Sequence, residues 1–200
     1  FGDTVLPMNI LQLSAPNERH LGRAIQCQAQ QHGDKPYLLF ADEVYTFAEV
    51  NQRVNELAAG LAAAGLRPGE RLAFFMSSSP EVIFLVLAVN KLGAVWVPIN
   101  TDYKGAWLLD TINGSRPTIL VSDAAHVDRL LEVKDALEVA TLVMHGGDAS
   151  IPGSVSLDSL YIKGAGEPDM SALSAGDTCA VLWTSGTTGK AKGVMQSHNV

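Results

Sequence analysis

The sequence is short of cysteine and of long hydrophobic runs. Its two cysteines, Cys27 and Cys179, lie far apart and have neither the spacing of a metal site nor that of a disulfide framework. The longest apolar stretch, Val82 to Val89, is far shorter than the ~20 residues that a membrane span needs. We therefore expect two small buried thiols, a cytoplasmic protein and no transmembrane segment.

Basic residues are also scarce. The 200 residues carry 14 Lys and Arg against 21 Asp and Glu, a formal net charge of −7. Because nucleic-acid-binding surfaces are basic, this balance argues against DNA or RNA as a partner. The tryptophans do not alternate with basic residues, so we expect these three to pack in the core: Trp96, Trp107 and Trp183. Four histidines have no clustered partner and are expected on the surface or in loops: His20, His32, His126 and His145.

Hydrophobic residues make up 47% of the chain, enough for a substantial core. Thr46 and Glu49 have capping-box spacing, and the apolar residues after them recur at helical intervals, which predicts a helix ending at Gly65. Ser79 is expected to cap a second helix that begins at Pro80 and is closed by Gly93. This helix is apolar on nearly all sides, so it should be buried.

Short apolar runs follow these helices. They predict strands over four ranges: Arg71–Phe75, Ala94–Val97, Thr118–Val121 and Thr141–Met144. Further helices are expected from Tyr103 to Ile112 and from Ala124 to Val133, whereas residues 145–153 and 163–177 have the composition of irregular connections. The alternation predicts an α/β fold, a mostly parallel layered sheet with flanking helices.

The most informative segment follows an apolar run at residues 179–183. It reads Thr-Ser-Gly-Thr-Thr-Gly-Lys-Ala-Lys-Gly over residues 184–193. Glycines let backbone N–H groups approach phosphate oxygens, hydroxyls donate further hydrogen bonds, and lysines offset negative charge. The sequence therefore predicts a nucleotide-phosphate loop formed by Thr184, Ser185, Gly186, Thr187, Thr188, Gly189, Lys190, Lys192 and Gly193.

Two better-known phosphate loops do not match this segment. A Walker A loop needs a glycine where Thr184 stands and a hydroxyl where Ala191 stands. A Rossmann fingerprint needs three glycines, and Gly186 with Gly189 supplies only the last half of that spacing. The remaining alternative is a solvated turn, but a buried-looking strand leads directly into this segment.

The pattern Thr-Ser-Gly-Thr-Thr-Gly-x-x-Lys-Gly resembles the signature loop of the adenylate-forming superfamily, above all its acyl-CoA synthetases. The resemblance continues into Ser197-His198, and upstream it includes residues 45–49 and 93–100. Two positions depart from the family pattern, which usually has proline where Ala191 stands and tyrosine or phenylalanine where Trp183 stands.

The resemblance implies an enzyme that activates a small-molecule carboxylic acid with ATP and Mg²⁺ as acyl-AMP, then transfers the acyl group to CoA. It also implies that residues 1–200 are the N-terminal portion of a large domain, without the small C-terminal domain. Pro98–Gly105 looks most like the fatty-acid and carnitine/crotonobetaine ligases. Two alternatives stay open: an adenylation enzyme that loads a carrier protein, and a truncated, non-catalytic nucleotide-binding module.

By the same resemblance, the loop binds the β- and γ-phosphates of ATP. Lys192 is the expected catalytic residue, because family members regularly have lysine there, and Lys190 is expected at the solvent rim. Thr184 is a candidate contact for magnesium. His198 either positions the substrate or caps a helix that begins there.

Overall fold

Helices and strands alternate along the chain, which confirms the α/β class. The computed structural model of the protein describes residues 19–147, 151–184 and 192–199. Its α-helices are α1 (Leu21–His32), α2 (Phe47–Ala63), α3 (Pro80–Lys91), α4 (Gly105–Ser115) and α5 (Val127–Leu131). Its strands are β1 (Pro36–Phe40), β2 (Glu43–Thr46), β3 (Arg71–Phe75), β4 (Val95–Pro98), β5 (Ile119–Asp123), β6 (Thr141–His145), β7 (Val155–Ser156), β8 (Thr178–Thr184) and β9 (Lys192–Ser197).

Seven of the described strands form one sheet in the order β7-β6-β5-β3-β4-β8-β9, while β1 and β2 form a separate antiparallel hairpin. Neighbours from β7 to β8 are parallel, and β9 alone runs antiparallel to its neighbour β8. Helix α3 connects β3 to β4, which lies on one side of β3. Helix α4 then connects β4 to β5, which lies on the other side of β3. The prediction of a mostly parallel sheet with flanking helices is confirmed.

The sheet has an apolar core on each face. Along β3, Leu72 and Phe74 point into one core and Ala73 and Phe75 into the other, as alternation in a strand requires. The first core is closed by buried residues of α2 and α3, and the second by those of α4 and α5. Burial on both faces explains why β3 reads as a continuous apolar run.

The predicted start of α2 is confirmed in detail. The Glu49 carboxylate accepts a hydrogen bond from Thr46 N at 2.8 Å, and Thr46 Oγ1 accepts one from Glu49 N at 3.3 Å. The start of α3 differs from its prediction, because Ser79 occupies the cap position but its hydroxyl makes no cap hydrogen bond. The burial of α3 is confirmed, since all of its residues are buried or half-buried.

Several element boundaries needed correction. Helix α4 continues through Asn113 and Gly114, and Arg116 rather than a glycine takes the left-handed conformation beyond its end, with φ 48°. The predicted helix over residues 124–133 is a 3-10 turn followed by the short α5. Helix α1 and the β1–β2 hairpin were not predicted at all. None of the described helices is both long enough and apolar enough to cross a membrane.

Single-residue predictions had mixed outcomes. Cys179 is buried, as expected, whereas Cys27 is only half-buried. Trp107 is 54% exposed and stacks on Tyr103 at 5.3 Å between ring centroids, so its expected core position was wrong. The expected exposure of His20 and His126 was also wrong, because both side chains are buried in contacts with other rings.

A buried lysine ties the helices to the segment that leads into β8. Lys91 Nζ is fully buried and donates to Asn51 Oδ1 at 2.7 Å, Asn55 Oδ1 at 2.6 Å and Glu167 Oε2 at 2.5 Å. Burial lowers the pKa of Lys91, and the Glu167 carboxylate opposes that shift. The lysine therefore satisfies its donors with partners on α2 and on the connection before β8.

Gly60 lies where α2 packs against the backbone near Leu160. A Cβ at Gly60 would come within 1.6 Å of Leu160 O, so alanine cannot fit without moving a backbone segment. We expect Gly60→Ala to lower the free energy of unfolding by about 1–3 kcal/mol despite its better helix propensity. The matched control is Gly166→Ala, since a Cβ there meets nothing within 4 Å. Equal denaturation midpoints for the two variants would contradict this packing.

Removing the Lys91 ammonium should leave the Glu167 carboxylate without its ion-pair partner. We expect Lys91→Met to lower the free energy of unfolding by about 3 kcal/mol. This is the lower end of the range for breaking a buried ion pair, because 28% of the Glu167 side chain stays exposed. Chemical denaturation of Lys91→Met, Glu167→Gln and the double variant measures the coupling. The exposed Lys163→Met serves as the control. Additive losses in the double variant would show that the two groups do not interact energetically.

Candidate functional site

The candidate phosphate loop joins two antiparallel strands. Strand β8 ends at Thr184 and β9 begins at Lys192, and these two residues are paired across the ladder. The Thr184 hydroxyl donates to the Lys192 carbonyl at 3.4 Å. The pairing places both ends of residues 185–191 next to each other, and both side chains are exposed.

Most of the predicted loop falls outside the described residues. This applies to Ser185, Gly186, Thr187, Thr188, Gly189 and Lys190. The structure does place Thr184, Lys192 and Gly193 together, since Gly193 pairs with Trp183 one step along the same ladder. Lys192 and Gly193 lie on a strand, which the sequence pattern did not predict. The phosphate-binding roles of all these residues stay predictions.

Glycine at position 193 permits close packing between the strands. A Cβ there would lie 2.8 Å from Val181 Cγ1 and 3.8 Å from the Trp183 ring. A side chain at this position would therefore force Val181 or the backbone of β9 to shift, close to the strand ends that carry Thr184 and Lys192. The structure thus gives Gly193 a packing role, independent of any ligand.

Trp183 fixes the end of β8 against α4. Its indole Nε1 donates to Ser115 Oγ at 2.8 Å, and the Ser115 hydroxyl in turn donates to the Thr111 carbonyl at 2.7 Å. The ring also approaches Gly114, where a Cβ would lie 3.2 Å from it. A tyrosine or phenylalanine lacks the indole N–H, so Ser115 is a supporting residue specific to the tryptophan. Its pairing could not be found from sequence spacing.

The hairpin end shares one edge of the sheet with other polar groups. Because β3 to β6 and β8 are parallel, their carboxyl ends meet at this edge. At the end of β5, Asp123 accepts from Ser77 N at 2.7 Å and lies 2.5 Å from His126 Nδ1. Burial alone would raise the pKa of Asp123, but these two hydrogen bonds outweigh it and hold that pKa below its usual range.

The Asp123–His126 pair is separate from the hairpin end. Strand β5 is three positions from β8 in the sheet, a separation of roughly 14 Å at ~4.8 Å per strand. The pair was not predicted, because His126 was expected to be a surface residue. A signal was available, since Asp123 lies two residues beyond a predicted strand and three residues before His126. In the described parts of the chain, no three His, Cys, Asp or Glu side chains are grouped as metal ligands.

The structure does not bring His198 to the loop. Strand β9 carries the chain away from Lys192, so His198 lies six residues on, roughly 20 Å at ~3.4 Å per residue. There its Nδ1 accepts from Leu21 N at 3.4 Å, and its ring lies against His20. Residues 198–199 form a turn, and the helix predicted to begin there lies beyond the described residues.

Comparisons with known proteins agree on the family. The chain is 30% identical over 189 residues to the 3-[(3aS,4S,7aS)-7a-methyl-1,5-dioxo-octahydro-1H-inden-4-yl]propanoyl:CoA ligase of Rhodococcus jostii, covering 88% of this chain and 37% of that enzyme. It is 29% identical over 181 residues to tyrocidine synthase 3 of Brevibacillus parabrevis, covering 90% of this chain and 3% of that protein. The chain thus spans little more than a third of the CoA ligase, at 37%.

A solved structure gives the same result for the fold. Acetoacetyl-CoA synthetase from Streptomyces lividans superposes with a TM-score of 0.81 at 25% identity, over 90% of this chain and 30% of that one. A protein family described as AMP-binding enzyme matches residues 25–200, which is most of the chain. This chain therefore belongs to the AMP-binding enzyme family.

Proposed function

We propose that this chain supplies the triphosphate-binding hairpin of an acid–CoA ligase that forms acyl-AMP and then acyl-CoA. The observation that carries the proposal is the pairing of Thr184 with Lys192, which closes residues 185–191 at the carboxyl edge of a parallel sheet. Ligands of open α/β sheets bind at this edge. Similarity to CoA ligases supports the thioester step.

Adenylation joins a carboxylate oxygen to the α-phosphorus of ATP and breaks the bond to the leaving pyrophosphate. The entering oxygen, the phosphorus and the leaving oxygen lie roughly in line, so positioning and charge neutralisation do most of the catalytic work. In this proposal the hydroxyl and glycine-backbone donors of residues 184–193 hold the β- and γ-phosphates. Lys192 offsets the charge that develops on pyrophosphate.

Magnesium fits this site only as an ion held mainly by the nucleotide. Mg²⁺ usually keeps several waters and binds through phosphates with one or two protein groups. Among the described residues at the hairpin end, Thr184 offers one exposed hydroxyl and Lys192 offers none. We therefore propose Thr184 as at most one ligand, with the ion supplying further charge neutralisation at the phosphates.

Two finer proposals accompany this function. Residues 1–200 are the N-terminal portion of a larger domain, supported by the share of the CoA ligase that they match. The cytoplasm is the proposed location, supported by two free thiols, Cys27 and Cys179, which suit a reducing compartment.

A carrier protein is the second candidate acceptor of the acyl group. Similarity to tyrocidine synthase 3 supports this alternative, because the chain is almost as similar in sequence to that protein as to the CoA ligase. With intact enzyme, acid and ATP, we expect CoA to stimulate AMP release and acyl-CoA to accumulate. Loading of a phosphopantetheinylated carrier protein without CoA turnover would favour the alternative.

Lys192→Ala should slow adenylation by one to two orders of magnitude. A lost charge-assisted contact to the leaving pyrophosphate is worth about 1.5–3 kcal/mol, which converts to that factor. Acid-dependent exchange of labelled pyrophosphate into ATP by the intact enzyme measures the effect. Lys35→Ala, which removes another exposed lysine, is the matched control. If exchange is as fast in Lys192→Ala as in the control, Lys192 does not contact the phosphates.

A further inference from the structure

Two histidines from distant parts of the chain lie against each other. His20 caps α1, and His198 directly follows β9. Their ring centroids are 3.8 Å apart with an angle of 42° between the ring planes. Only 1% of His20 is exposed, and its Nε2 is buried without a hydrogen-bond partner among the described residues. The pair is the point where the start of α1 contacts the end of β9.

The hydrogen bonds at this contact require both rings to be neutral. Gly22 N donates to His20 Nδ1 at 3.1 Å, and Leu21 N donates to His198 Nδ1 at 3.4 Å. A ring nitrogen that accepts from a backbone N–H must carry a lone pair, so each ring has its proton on Nε2. Protonation of either Nδ1 would set two donors against each other, and at His20 it would also break the cap of α1.

Charged groups around the pair shift the histidine pKa values in opposite directions. Arg23 is held nearby by hydrogen bonds from Nη2 to the carbonyls of Met170, at 2.7 Å, and Leu173, at 3.4 Å. Burial is the main cause that lowers the pKa of His20 to about 4, with His198 and Arg23 acting in the same direction and Asp177 opposing them. Burial also lowers the pKa of His198, again against Asp177.

We propose that the His20–His198 pair is a pH-sensitive contact that holds the first turn of α1 on the end of β9 only while both imidazoles are neutral. Two uncharged rings can share a buried site at this distance, whereas an imidazolium there would face Arg23 and lose its hydration. The contact is independent of the proposed nucleotide site, because His198 lies at the opposite end of β9 from Lys192. The rest of α1 stays anchored through its buried residue Ile25.

The direction of the pH effect follows from proton binding. Between the ordinary histidine pKa of 6.5 and the folded value of about 4 for His20, the unfolded chain binds the proton and the folded chain does not. Stability contributed by the neutral pair is therefore complete above pH 6.5 and is lost as the pH falls toward 4. Local opening of the first turn of α1 also takes up protons, so acid should promote it.

Hydrogen exchange on the intact protein tests the contact, with rates corrected for intrinsic pH dependence. Peptides covering residues 20–26 and 192–199 should lose protection together when the pH falls from 7.5 to 5. In a His20→Asn, His198→Asn double variant this loss should disappear, because asparagine can accept the same backbone N–H groups and does not titrate. His32→Asn removes a histidine at the other end of α1 and should behave like the wild type.

The proton count on unfolding gives a second measurement. The slope of the unfolding free energy against pH gives the number of protons that the chain takes up on unfolding. Near pH 5.5, we expect His20→Asn to take up about 0.9 fewer protons on unfolding than the wild type or His32→Asn. Should the variants fail to fold, histidine NMR of the wild-type protein must show two rings with depressed pKa values. The proposal is overturned if the double variant keeps the wild-type loss of protection, if the proton count is unchanged, or if all five histidines titrate normally.

Discussion

The antiparallel pairing of β9 with β8 is the constraint on which the candidate site depends. The strands from β7 to β8 run parallel, so their carboxyl ends share one edge of the sheet. Only a strand that turns back can place Lys192 beside Thr184 at that edge. The pairing places two exposed polar side chains, Thr184 and Lys192, at the ends of a segment rich in glycine and hydroxyl residues.

Packing behind the hairpin keeps its end in place. The Trp183 indole bonds to Ser115 on α4, and glycine at position 193 allows the two strands to approach closely. On the other face of the sheet, Lys91 and Glu167 connect the buried helices to the segment that leads into β8. The Trp183 contact and the close strand approach at Gly193 therefore support the hairpin end, while the Lys91–Glu167 pair fixes the connection before β8.

The alternating helices and strands could be predicted from the sequence because they have strong local signals. The capping box at Thr46 and the apolar run of β3 depend on neighbours in sequence, and both were confirmed. Contacts between distant residues carry no such signal. Strand β9 is defined by its pairing with β8, and the burial of His20 depends on His198. Helix α4 extends beyond its predicted end, and the residue that adopts the left-handed conformation after it is Arg116 rather than a glycine.

The same limit applies to the site. The chemistry of residues 184–193 was readable from composition, whereas the separation of His198 from Lys192 follows from the direction of β9 and required the structure. The pairing of Asp123 with His126 was missed for a different reason: the two residues are only three apart, but the histidine was expected on the surface. The distant partner of Asp123 is Ser77 N, whose contact required the structure.

The central claim is that the hairpin end at Thr184 and Lys192 holds the triphosphate of a nucleotide. Hydrogen exchange of the intact protein with and without magnesium and a non-hydrolysable ATP analogue tests this claim most directly. We predict strong protection of residues 184–193 on nucleotide binding, with little change at residues 20–26. Nucleotide binding that is measurable by calorimetry but leaves exchange in residues 184–193 unchanged would contradict the account.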